Sequence, residues 1–309
     1  MKTDSLTEPP SGGSFTVYWL TLLIISLTIS SHALAETNDI LQLSQQITLS
    51  EKPTKSNSNT LLVSGCDDYP YHDNRNQVHF GNQRLLKDLK SGLAQGLMCL
   101  SGNDPAVGKL HPYHHQQAFR LMDLLESDKT KSLQCVQDEL FAYAIASSPQ
   151  QIISSKKIQS VFKNSPELTI LIDTFRVGGM LSKKLPESAY ETFFKMDDEQ
   201  IQQHLTGKPL RLNGVKRYEN LPGLLFHEMV HWLGHLHTNT EPDITFLYDT
   251  CCFGGSDFVD DKNVNQNLQT RACNILKDDE LWTANNYKKA RLWKHKEYNE
   301  LKREIIRHY

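Results

Sequence analysis

The sequence predicts an α+β fold stapled by disulfides, on three observations. Leu85, Leu86, Leu89, Leu93, Leu97 and Leu100 recur at steps of three and four, the spacing of an amphipathic helix. Leu168-Thr-Ile-Leu-Ile-Asp-Thr-Phe175 is short and β-branched, which favours a strand. Six cysteines follow a leader that has the features of an export signal. Helices come first, then a strand and a hairpin, then helices again, an order that fits α+β better than a regular βαβ alternation. The chain has 309 residues, with 33 Lys+Arg against 36 Asp+Glu and a formal net charge of −3. That balance excludes a mainly electrostatic nucleic-acid binder. The mean hydropathy is negative, which excludes a polytopic membrane protein.

Residues 1–35 read as a signal peptide. Lys2 precedes an apolar run from Phe15 to Ile29, and Ala33 and Ala35 stand where a signal peptidase reads, just before Glu36. The run is shorter than the roughly 20 residues of a spanning helix, so no membrane span is expected after cleavage. The expected location is secreted or periplasmic. Residues 36–60 read as a polar linker or short pro-like segment, and 61–309 as a single domain with a helical N-terminal part and a C-terminal helix. Leu62-Val-Ser-Gly-Cys66 resembles a lipoprotein box, but it lies deep in the chain with no apolar run of its own, and a short strand is the better reading.

Helices are expected over Gln83–Leu100, interrupted by Gly92 and Gly96, over Pro112–Glu126 with Phe119, Met122 and Leu125 inward, and over Leu133–Ala146. Arg211–Lys216 reads as a hairpin around Asn213-Gly214, which suits a type I′ turn. The tail from Asp278 to Tyr309 is a charged helical pattern carrying Trp282, Tyr287 and Trp293. His111, His114 and His115 read as surface histidines. In an oxidising compartment the cysteines pair. The expected bonds are Cys99–Cys135, then Cys251 or Cys252 with Cys273, and the remaining member with Cys66. A free Cys66 acting as a latency switch is the alternative.

Residues 224–237 carry the chemistry. His227 and His231 stand four apart, so a helix puts both imidazoles on one face, where they can hold one zinc ion. Glu228 follows the first histidine and can take a proton from water that zinc has acidified. Asn220 can cap this helix and Pro222 suits its first turn, giving an active-site helix around 221–234. Gly234 and His237 extend the pattern to HExxHxxGxxH. In a continuous helix, i and i+10 are about 15 Å apart, too far to share an ion. Gly234 can take a positive φ and end the helix, so that the chain can turn back and present His237. His235 is the competing ligand, but in a continuous helix it lies about 12 Å from His227.

These eleven residues resemble the signature of the metzincin clan of zinc metallopeptidases. The resemblance implies a zincin-like fold, one catalytic zinc held by His227, His231 and His237, Glu228 as general base and acid, and a polypeptide or peptide substrate. The clan places a methionine in a turn below the metal, whereas here no methionine follows Met229. Leu247 or another apolar residue can fill that place. Other zincins use a carboxylate as third ligand, and Asp243, Asp249 and Asp257 all lie downstream, Asp249 being the chosen alternative. Tyr248 can serve as an oxyanion stabiliser or as a buried structural tyrosine. The expected activity is a zinc-dependent endopeptidase. The rivals are a zinc amidase acting on cell-wall peptides and an inactive zinc-containing binding protein.

Overall fold

The computed structural model describes residues 37–52, 58–70, 81–137, 143–147, 156–178, 180–181, 210–211, 220–235, 243–256, 261–283 and 295–306. The chain divides into two units, Met1–Asp39 and Ile40–Tyr309, and every element below belongs to the second. The signal peptide expected over residues 1–35 lies outside the described residues.

A five-stranded sheet forms the frame, in the order β1 (Thr48–Ser50), β2 (Thr60–Ser64), β3 (Lys131–Val136), β5 (Leu168–Asp173), β4 (Ala144–Ala146). The first four of these run parallel, and β4 closes the far edge antiparallel to β5. All six residues of β5 are buried, as an apolar, β-branched run between two neighbours requires. Leu62–Ser64 thus belongs to a strand, as its reading as a short strand expected. A smaller two-stranded sheet pairs β6 (Met180–Leu181) with β7 (Leu210–Arg211). β7 begins where the hairpin was expected, while Asn213 and Gly214 lie outside the described residues.

The crossover from β2 to β3 carries helices α2 (Gly81–Leu100) and α3 (Pro112–Glu126). On α2 the leucine stripe is buried, with Leu85, Leu89, Leu93 and Leu97 fully enclosed. Gly92 and Gly96 mark a close approach of that helix and do not interrupt it. A Cβ at Gly92 would lie 2.2 Å from the Pro222 carbonyl oxygen, and one at Gly96 would lie 2.3 Å from the Phe226 ring. His111 caps α3 by accepting from the Tyr113 N–H, and Pro112 fills the first turn.

Several expectations are corrected. Phe119 is 44% exposed, because the buried stripe of α3 runs through His114, Gln117, Ala118, Leu121 and Leu125 and leaves Phe119 to one side. His114 is fully buried and is not a surface histidine. The helix expected over Leu133–Ala146 is replaced by β3 and β4, since pairing with β2 and β5 outweighs a weak local helical preference. Residues 36–60 do not form only a linker. Helical residues 40–46 (α1) and β1 lie there, and Ile40, Leu43 and Ile47 enter the core.

The remaining helices are α4 (Lys156–Lys163), α5 (Thr174–Val177), α6 (Leu221–His231), α7 (Ile244–Cys252), α8 (Lys262–Lys277), α9 (Asp279–Trp282) and α10 (Lys296–Ile306). In the tail Trp282 is buried and Arg271 of α8 bridges Glu297 and Glu304 of α10. Tyr287 and Trp293 lie outside the described residues. No helix among the described residues is long and apolar enough to cross a membrane.

All six cysteines are bonded, as Cys66–Cys135, Cys99–Cys252 and Cys251–Cys273. The Cys251–Cys273 pairing matches expectation. Cys99 joins Cys252 instead of Cys135, and Cys66 takes Cys135. The reason is the sheet: β3 follows β2 in parallel register, which brings the chain after Ser64 beside Cys135. Cys66 is therefore not a free latency thiol.

Candidate metal centre

Helix α6 forms where the sequence places it. The Asn220 side chain accepts from the Gly223 N–H at 3.0 Å, and Pro222 occupies the first turn. Leu224, Leu225, Phe226, Met229 and Val230 are buried, which sinks the helix into the core. It stops at His231. The following turn ends on Gly234 at φ +89°, with the Gly234 N–H bonded to the His231 carbonyl at 2.9 Å. A positive φ of this kind suits glycine, which carries no Cβ.

The structure brings His227, Glu228 and His231 together, each offering a ligand atom within 4.8 Å of the other two. The two imidazole centroids are 5.1 Å apart. Glu228 and His231 are buried, while the His227 side chain keeps 13% exposure and gives the group a solvent-facing side. His231 Nδ1 donates to the His235 carbonyl, an acceptor only. Its Nε2 is therefore the nitrogen with a lone pair, the state a ligating histidine needs. The residues present thus form a group that could hold a divalent metal ion. Cys99, Cys251 and Cys252 also lie within ligand distance of one another, but all three are in disulfides and offer no thiolate.

Glu228 is positioned by the sheet. Its Oε2 accepts the Ala146 N–H at 2.7 Å. Tyr143 O and Ser147 N face β5, bonding Asp173 N and Thr169 O. By strand alternation the peptide groups of Ala144 and Ala146 face the opposite, outer edge. Glu228 is thus held on the outer edge of the antiparallel strand.

His235, the competing ligand, turns its imidazole toward Gln117 of α3, with Nε2 3.3 Å from Oε1. Its contribution to the group is its backbone carbonyl. His237 and Asp257 lie outside the described residues. Asp243 caps α7 through the Phe246 N–H, and Leu247 is buried on that helix and does not sit in a tight turn. Asp249 places Oδ2 3.9 Å from His227 Nδ1 and is not part of the 4.8 Å group. Tyr248 is fully buried, and its hydroxyl lies 2.7 Å from His114 Nδ1. That arrangement matches the structural reading of Tyr248.

Sequence reasoning missed Ala146, Gln117 and His114. Ala146 acts through a backbone N–H, which leaves no signature in the sequence. Gln117 and His114 share a face three residues apart, and that spacing was the available signal.

Burial holds the His114 imidazole well below the usual histidine range, with His111 and His235 adding to the effect. Below about pH 6.5 the unfolded chain takes up a proton that the folded chain refuses. This group's stability contribution is therefore complete above that pH and is lost as the pH falls below it. Unfolding free energies from urea melts at pH 7.5 to 5 should fall more steeply for the wild type than for His114→Asn. The slope difference should be at most about 1.4 kcal/mol per pH unit. Parallel slopes would contradict the assignment.

No family model, curated protein or solved structure matches the chain.

Proposed function

We propose that the protein is an exported, zincin-like, zinc-dependent endopeptidase. The observation that carries this reading is the convergence of His227, Glu228 and His231, with the Glu228 carboxylate held on the edge-strand N–H of Ala146. His227 and His231 would hold the ion, with His237 as the proposed third ligand beyond the turn at Gly234. Bound there, zinc supplies Lewis acidity, polarising a carbonyl and acidifying water. Glu228 takes the proton from the attacking water and passes it to the leaving amide nitrogen. The Ala146 N–H keeps the Glu228 carboxylate in place beside the two histidines.

Three disulfides support an oxidising compartment, in keeping with the leader at residues 1–35.

Metal analysis of purified mature protein should find about one zinc per chain. His237→Ala should lose the metal. His235→Ala should keep it, because its contact with His231 is through the backbone carbonyl, which alanine retains. The reverse pattern would reassign the third ligand.

A further inference from the structure

Both histidines of the candidate centre have a second ring nitrogen to be oriented, and for His231 the His235 carbonyl does so. On the His227 side stands Asp249. Its Oδ2 is 3.9 Å from His227 Nδ1, the separation of an ion pair and wider than a hydrogen bond. Its other oxygen lies over Gly223, where a Cβ would approach Oδ1 to 3.1 Å. Gly223 and His227 are four apart on α6, so the Asp249 carboxylate lies along one face of that helix.

We propose that Asp249 is a positioning residue that orients His227 from its Nδ1 side, leaving Nε2 for the metal; this rests on the metal reading above. A carboxylate facing Nδ1 favours the tautomer with its proton there, because the N–H dipole then points at the negative charge. Asp249 stands outside the group of ligand atoms that His227, Glu228 and His231 form. Its contact is with the Nδ1 side of His227, which favours a place behind the ligand over direct ligation. Its backbone is held firmly. Tyr248 is tied to His114, and Cys251 and Cys252 are tied to Cys273 and Cys99. Asp249 thus meets His227 from a helix fixed on three sides.

The test uses the full mature chain. In the metal-free wild type, the ¹⁵N shifts of His227 should report a proton on Nδ1; a proton on Nε2 overturns the proposal even if no variant folds. Zinc affinity, read by competition with a chromophoric chelator, should fall about 10- to 100-fold in Asp249→Asn and Asp249→Ala. Both variants should still saturate at one metal and keep the wild-type Co²⁺ absorption spectrum. Asp249→Glu should recover part of the affinity. Unchanged affinity in folded variants overturns the proposal, and so does an altered Co²⁺ spectrum, which would make Asp249 a ligand. His231→Ala is the separate control: if it binds zinc as the wild type does, the metal reading itself fails.

Discussion

Glu228→Gln is expected to bind zinc as the wild type does and to lose about 10²- to 10⁴-fold in peptide hydrolysis. The substitution is close to isosteric, and the glutamine carbonyl can still accept the Ala146 N–H that Glu228 holds at 2.7 Å. What disappears is the group able to take a proton at neutral pH. Fold and metal content therefore serve as internal controls, read by circular dichroism and metal analysis on the sample used for kinetics. If the variant cleaves a protein substrate at the wild-type rate, Glu228 is not the base.

Replacing Cys99 and Cys252 together by serine should destabilise the folded protein by about 2–5 kcal/mol. This bond joins residues 153 apart, so its removal releases the longest loop of the three disulfides. It also fastens α2 to α7, the helix that carries Asp249. Adjacent Cys251 and Cys252 reach in different directions, one to α8 and one to α2. Cutting one leaves the end of α7 held only by the other. Urea melts of the double variant under non-reducing conditions measure the effect. A midpoint equal to the wild type's would mean that packing alone holds the two helices.

Helices α2, α3 and α6 and the interior strand β5 were legible because their signals are local. The leucine stripe, the Asn220 cap with Pro222, and the apolar run of β5 each lie within one window of sequence. Gly234 was legible for the same reason, since its spacing to His237 pointed to a left-handed exit. The cysteine bonds were not, because pairing depends on which strands lie side by side. Cys135 meets Cys66 only through the parallel register of β2 and β3. β4 was misread as helix because three residues carry little pattern, and its place is set by β5. The candidate centre divides in the same way. His227, Glu228 and His231 could be read from one helical face. The backbone N–H of Ala146 and the positions of Gln117 and Asp249 depend on elements that pack from elsewhere in the chain.

Gly92 and Gly96 have a mechanical consequence. With no side chain at these two turns, the α2 backbone sits directly against the Pro222 carbonyl at Gly92 and against the Phe226 ring at Gly96. A rotation or slide of α6 by itself would drive its first turns into a neighbouring helix that has nothing compressible to yield. The two helices are therefore geared together, and α2 is in turn bolted to α7 by Cys99–Cys252. His227, Glu228 and His231 thus stand on this block as on a stationary anvil.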